Sequence, residues 1–327
     1  MSTPPPQEEL LKLDKELFGI PTPSNIDLPT ASQLLELFPA DEGRKHATWP
    51  PGENPVFWIK YGDGGVYWNE VVAQDMAYHG LQRLESTVRA PAVFYAFKHL
   101  RMVYLVMEYI AGDTAYERLE EAERQVKAAK GNTEAAKWQA EIKHVNDLVA
   151  LSLSELHHIP IPLGFRPAGV DGNFIQHSLF YDSHAPTCYE NTDQLEIHLN
   201  KLLEVRYRFR PKVPVEEQCF VANLSLEPMV LCQSDLYPKN FIIDKTGHIV
   251  LIDFADVSIL PSSFAKCILD DAMLRFDIKD KVWIPTTPGV DNIEALKIVW
   301  RFMPSGYAAF EQLGQLLRKE WRPKLKT

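Results

Sequence analysis

Cysteine, basic charge and long apolar runs are all scarce in this chain, and each shortage removes a class of function. Four cysteines (Cys188, Cys219, Cys232 and Cys267) are spread over 327 residues with no C-x-x-C pair. That spacing speaks against a disulfide framework and a zinc site, and fits reduced thiols in a cytoplasmic protein. Lysine and arginine total 34 against 44 acidic residues, giving a net charge of −10. A nucleic-acid binder needs a basic face to displace counterions, so no nucleic-acid partner is expected. Apolar runs such as 241–243 and 250–252 are far shorter than the roughly 20 residues that cross a bilayer, so no membrane span is expected. The opening residues, MSTPPPQEE, have neither a basic n-region nor an apolar h-region, so no secretory leader is expected. What remains is an ordinary globular composition, 46% hydrophobic and 24% charged, long enough for two lobes with a core each.

The most informative stretch is 232–254, CQSDLYPKNFIIDKTGHIVLIDF. Two apolar runs, 241–243 and 249–252, flank a Thr246-Gly247 turn and read as a β-hairpin. A hairpin returns the chain to where it left, so Asp235, Asn240 and Asp253 are expected in one neighbourhood. Two carboxylates and an amide converging at a hairpin mouth suit phosphoryl transfer. One carboxylate orients an attacking hydroxyl, and the amide and the other carboxylate hold Mg²⁺ against the phosphates of ATP.

The spacing D-x-x-x-x-N, then a hairpin, then D-F resembles the catalytic loop and metal-binding segment of the protein-kinase-like fold. No Lys follows two residues after Asp235, and no Ala-Pro-Glu follows Asp253, so the resemblance is not to protein kinases proper. It is closer to the aminoglycoside phosphotransferase and choline kinase branch, which phosphorylates small molecules. Within that branch Leu251-Ile252-Asp253-Phe254-Ala255-Asp256, with Leu260-Pro261 and Phe264 after it, is similar to a fungal group. The resemblance implies an α+β, two-lobed fold: a small antiparallel-sheet lobe and a mainly helical large lobe with a helical insertion after the hinge. It also implies that Lys60, ending an apolar strand, pairs with Glu70 on a helix over 66–80 and points at the α- and β-phosphates. Met107, Glu108, Tyr109 and Ile110 match the hinge over which adenine lies, where backbone groups near 108–110 would bond the base and side-chain identity matters little. Asp235 would be the catalytic carboxylate, Asn240 and Asp253 the Mg²⁺ ligands, and a small-molecule hydroxyl the acceptor.

The chain departs from the family pattern in three places. No G-x-G-x-x-G precedes Lys60, Gln233 stands where the family usually has His, and Ala255 rather than Gly follows Phe254. A Gln amide is able to replace the His as a buttress of the loop backbone. A second reading therefore stays open: a kinase-fold protein that binds a nucleotide or partner without transfer, or one turned to other chemistry. The missing glycine loop and Gln233 favour it; the retained Lys60, Asp235, Asn240 and Asp253 oppose it.

The rest of the chain divides into an arm with helices over 1–39, a nucleotide-binding lobe over 40–108 and a catalytic lobe over 109–327. Apolar residues at 10, 11, 13, 17 and 18 suggest a short helix in the arm, and Thr30 or Ser32 is placed to cap another over 32–38. The charged stretch 113–156 reads as a helical hairpin broken at Gly131-Asn132, with Thr133 as second cap and i, i+4 pairs Glu120–Arg124 and Glu123–Lys127. Glu85 is an alternative partner for Lys60. His157 and His158 end a helix before Pro160, where a capping role outweighs a catalytic one. Arg206, Arg208 and Arg210 sit at a helix end over 195–210 and complement its dipole. The loop-rich 164–186 is placed to rim the acceptor, and Asp256, Lys239 and Tyr237 are further candidates near the metal, the γ-phosphate or the acceptor.

Overall fold

A computed structural model describes residues 13–22, 26–38, 45–63, 66–209, 213–271 and 273–320. Five strands make the sheet of the small lobe: β1 (Lys15–Phe18), β2 (Lys45–Trp49), β3 (Phe57–Asp63), β4 (Val93–His99) and β5 (Met102–Glu108). They lie in the order β1-β4-β5-β3-β2, each neighbour antiparallel to the next. The central strand β5 is buried from Met102 to Met107, so its sequence is continuously apolar rather than alternating. Strand β3 alternates. Phe57, Ile59 and Tyr61 are buried in the core, which turns Trp58 and Lys60 to the opposite face. Helix α2 (Val66–Arg83) packs against this sheet, and α1 (Ala31–Leu37) adds the fully buried Leu34 to its core. Thr30 caps α1 in a reciprocal capping box with Gln33.

The arm differs from expectation. Residues 15–18 are a strand rather than a helix, paired with residues 95–98, and Gly19 and Ile20 continue the ladder onto the Phe94 and Val93 carbonyls. The outer edge of β4 offers unpaired backbone groups, and satisfying them outweighs the weak helical pattern. Residues 8–12 of the expected helix lie outside the described residues. Through β1 and Leu34 this segment is built into the small lobe.

The large lobe holds two three-stranded sheets. One is β6 (Gly112–Thr114), β9 (Phe241–Asp244) and β10 (Ile249–Leu251), in the order β10-β9-β6. The other is β7 (Ala168–Gly169), β8 (Met229–Gln233) and β11 (Val257–Pro261), in the order β7-β11-β8. Helices α3 (Ala115–Ala128), α4 (Asn132–His158), α5 (Thr192–Phe209), α6 (Ser262–Leu269) and α7 (Ile293–Glu320) surround them. This is the two-lobed α+β arrangement, a small antiparallel-sheet lobe and a mainly helical large lobe, that the resemblance implied. The hairpin β9–β10 forms as read. Asp244 accepts from the Thr246 and His248 N–H groups, and Gly247 takes the left-handed φ of +86° that closes the turn. Among the described residues no helix is long and apolar enough to cross a membrane.

Helices α3 and α4 form the hairpin expected after the hinge, with Thr114 and Glu117 as a capping box for α3. Gly131, not Thr133, is the N-cap of α4. The ion pairs also differ: Arg124 pairs with Glu121, while Glu120 and Glu123 lie 2.9 and 3.2 Å from Arg275. A guanidinium fork arriving from another element takes two carboxylates at once, a geometry that neither lysine nor a helix neighbour matches. Arg210 lies outside the described residues, and Arg208 faces Glu204 one turn back at 3.9 Å.

Burial holds three imidazoles of the large lobe neutral. His157 bonds the Trp283 carbonyl at 3.0 Å and is pushed down to about 4; His177 and His198 are pushed down to about 3. His158 lies flat on Trp283 with ring centroids 3.8 Å apart, so neither member of the pair faces the cleft. Each buried ring binds its proton less well folded than unfolded, so its stabilising contribution is complete above about pH 6.5 and is lost as pH falls toward 4 for His157 and toward 3 for His177 and His198. Between pH 7 and pH 5 we expect a loss of roughly 2 kcal/mol for each of these histidines. Urea unfolding at the two pH values checks this; equal stability at both would contradict it.

Candidate functional site

The cleft between the lobes is built from both faces of the chain's alternating strands. Lys60 hangs from β3 and forms an ion pair with Glu70 on α2, a residue fully buried behind it. The same ammonium lies 3.3 Å from Asp253 Oδ1, across the cleft in the large lobe. Lys60 is therefore the atom-level bridge between the lobes, and Glu70 rather than Glu85 is its partner. At 12% side-chain exposure the lysine is largely shielded, so the pair is stronger than a surface one and more costly to break.

The hairpin delivers the polar residues as the sequence suggested. Asn240 precedes β9 and Asp253 follows β10, and the Ile252 N–H donates to the Asn240 carbonyl at 2.9 Å, which sets the two side by side. Asn240 Nδ2 donates to Asp235 Oδ2 at 2.8 Å and to the Asp235 carbonyl at 3.1 Å. That leaves Asn240 Oδ1 and Asp253 Oδ2 as oxygen donors. Asp253 adopts φ +63°, the left-handed region that non-glycine residues rarely enter and that concentrates at functional sites. Gln233 holds both ends of this arrangement. Its Nε2 donates to the Asp253 carbonyl at 2.8 Å, and its Oε1 accepts from the Asp235 N–H at 3.1 Å. The residue that departs from the family pattern is thus the buttress of the loop.

A cavity of about 560 Å³ opens beside these groups, lined by Lys60, Met107, Glu108, Tyr109, Ile110 and Asp253. Its wall also includes His46 and Trp58, whose rings stack at 4.6 Å, and Ile242 and Ile252 below them. Sequence reasoning missed these four, although the signal was there. Trp58 is two residues from Lys60 on a strand and so shares its face, and His46 is the registered partner of Lys60 on β2.

The hinge needs correction in two respects. The Glu108 and Tyr109 N–H groups already bond the Ala92 and Val56 carbonyls, so they are not offered to a base. Among the described residues no protein acceptor meets the Ile110 N–H, and Ile110 lines the cavity. Side-chain identity also matters at Glu108. Its carboxylate takes Arg89 Nη2 at 2.5 Å and the Ala92 N–H at 3.3 Å. Arg89 in turn reaches Asp244 at 3.5 Å and pairs through its backbone with Ile249 and Leu251.

Of the remaining candidates, Asp256 accepts from Ser183 at 3.0 Å in the large lobe, and its carbonyl is held by Ser234. Lys239 lies 5.1 Å above the Tyr116 ring on α3 rather than in the cavity. Tyr237 is half-exposed and faces Tyr116, with centroids 6.3 Å apart. Asp235 and Tyr237 also line a second cavity of about 350 Å³, with Ser178 from the 164–186 loop, Asp271, Arg275 and Trp300. Helix α3 thus contacts the 235–240 loop through Tyr116 and fixes Arg275 through Glu120 and Glu123.

No protein-family model matches the chain, and no curated protein matches it. Solved structures of aminoglycoside phosphotransferases are similar to it. APH(4)-Ia in ternary complex with AMP-PNP and hygromycin B is 12% identical, with a TM-score of 0.41 over 89% of this chain and 98% of that one. The gentamicin complex of APH(2″)-IIa is 16% identical, with a TM-score of 0.39 over 90% of this chain and 89% of that one. ADP-bound APH(2″)-Ib is 16% identical, with a TM-score of 0.35 over 90% of this chain and 92% of that one. The fold assignment itself rests on the strand order and layering of this chain.

Proposed function

We propose that the chain is an ATP- and Mg²⁺-dependent small-molecule kinase that transfers the γ-phosphoryl group to an acceptor hydroxyl. The observation that carries this reading is the placement of Lys60 between Glu70 and Asp253, with Asn240 and Asp235 alongside. Glu70 neutralises Lys60, which leaves the carboxylates of Asp253 and Asp235 for a divalent cation and an acceptor proton. The donor set, Asn240 Oδ1 and Asp253, consists of hard oxygens, the kind Mg²⁺ prefers when phosphates and water complete its shell. A bound Mg²⁺ supplies charge neutralisation to the phosphates.

In this reading Lys60 would meet the α- and β-phosphates and the Ile110 N–H would donate to the base, in the cavity that Ile242 and Ile252 also line. The acceptor lies in the second cavity. Asp235 takes the hydroxyl proton as the new O–P bond forms, and the bond from the γ-phosphorus to the bridging oxygen breaks to release ADP. The transition state is loose, so positioning and charge neutralisation carry most of the rate. The bonds of Gln233 remove one of the two arguments for a non-transferring protein, because this amide supports both Asp235 and Asp253.

Three measurements test the proposal. Mg²⁺ with ATP at 100 times its dissociation constant should stabilise the fold by about 2.7 kcal/mol, read as a thermal shift. Asp253→Ala should abolish that shift, and no shift of the unmodified chain at millimolar nucleotide would sink the assignment. Asp235→Ala should retain nucleotide binding and lose ADP formation in a screen of hydroxyl compounds; undiminished turnover would remove Asp235 from the mechanism. Gln233→Leu should cost about 1–3 kcal/mol in stability by orphaning the part-buried Asp253 carbonyl and Asp235 N–H. The same change should weaken Mg²⁺ dependence, whereas Gln233→His should keep both close to the unmodified protein in titrations.

A further inference from the structure

Next to Glu70 on α2 stands Asn69, a residue that neither the sequence motifs nor the reaction above uses. It is 1% exposed, and the three hydrogen bonds of its amide all run to the large lobe. Nδ2 donates to the Ala255 carbonyl at 3.1 Å and to the Val257 carbonyl at 2.8 Å, and Oδ1 accepts from the Asp171 N–H at 3.3 Å. Successive residues on a helix point about 100° apart. Glu70 therefore addresses the sheet of the small lobe while Asn69 addresses the segment that leaves Asp253.

That segment is held carbonyl by carbonyl. Gln233 binds the Asp253 carbonyl, Ser234 binds that of Asp256, and Asn69 binds those of Ala255 and Val257. Phe254, between them, is fully buried. Val257 begins β11 and is registered with Gln233 at the end of β8, so the strand pair that Asn69 grips also carries Asp235. A third segment closes over the amide. A Cβ at Gly169 would meet Asn69 Oδ1 at 2.8 Å and the Phe174 carbonyl at 2.7 Å, so only hydrogen fits there.

We infer that Asn69 is a positioning residue that latches α2 to the Asp253 segment, so that Lys60, Glu70 and Asp253 are assembled before any nucleotide arrives. A helix swung outward would carry Glu70 from Lys60 and pull the Asn69 amide off the two buried carbonyls it donates to, which the latch opposes. The inference rests on the phosphotransfer reading for its functional meaning, but the latch itself exists in the protein without ligand.

The test compares Asn69→Ala and Gly169→Ala with Asn146→Ala. Asn146 is another buried asparagine, bonded to the Ile142 carbonyl and the Asp277 N–H in the large lobe, away from the cleft. Amide hydrogen exchange without nucleotide should rise at 253–257 and in the first turns of α2 for Asn69→Ala and Gly169→Ala, and stay at the unmodified level there for Asn146→Ala. Calorimetry with Mg²⁺ and ATP should show affinity weakened at least tenfold by the first two changes and altered less than twofold by the third. Unchanged local exchange in Asn69→Ala would overturn the latch. Raised exchange with unaltered nucleotide affinity would overturn its positioning role. If the unmodified chain binds no Mg²⁺–ATP, the kinase reading falls and the positioning role with it, while the exchange result still reports whether the latch exists.

Discussion

One ammonium group organises the cleft. Lys60 sits largely out of water, so it needs negative partners close by, and the fold supplies one from each lobe. Glu70 comes from the adjacent helix and Asp253 from a hairpin nearly 200 residues later in the chain. Removing the buried Glu70 would leave a shielded charge under-compensated, a situation costing several kcal/mol in buried pairs. The left-handed backbone at Asp253 is tolerated because Gln233 and the neighbouring carbonyl contacts over-determine it. Local strain, ion pairing and loop buttressing are therefore parts of one arrangement.

The hydrophobic core explains why this arrangement is rigid. Phe241, Ile243, Ile249 and Leu251 enter the main core of the large lobe, while Ile242 and Ile252 turn the other way into the cleft. A register slip of one residue would reverse these faces and carry Asn240 and Asp253 apart. On the small-lobe side, the alternation of β3 does the same for Trp58 and Lys60 against Phe57, Ile59 and Tyr61. Packing selects the register, and the register places the chemistry.

Much of this was legible in the residues. Asp235, Asn240 and Asp253 were readable because two apolar runs about a Gly turn fix where a hairpin returns. Lys60 and Glu70 were readable because the family spacing names them. The rest depended on partners distant in the chain. Lys15–Phe18 was misread since its strand identity comes from the unpaired edge of β4, not from its own pattern. Glu120 and Glu123 looked like helix-internal pairs because nothing nearby announces Arg275. Asn69 was invisible for the same reason: its bonds run to carbonyls, which every residue possesses and no sequence marks.

The Glu108–Arg89 tether at the back of the hinge has a further consequence. Arg89 joins the hinge carboxylate to Asp244 and, through its own backbone, to both sides of Ile249–Leu251 in the large lobe. The two halves are thus joined along their shared spine by two backbone hydrogen bonds and a shared guanidinium. A ligand that seats in the cleft as proposed would meet a surface already tied together along this side, so less ordering entropy would be lost there on association.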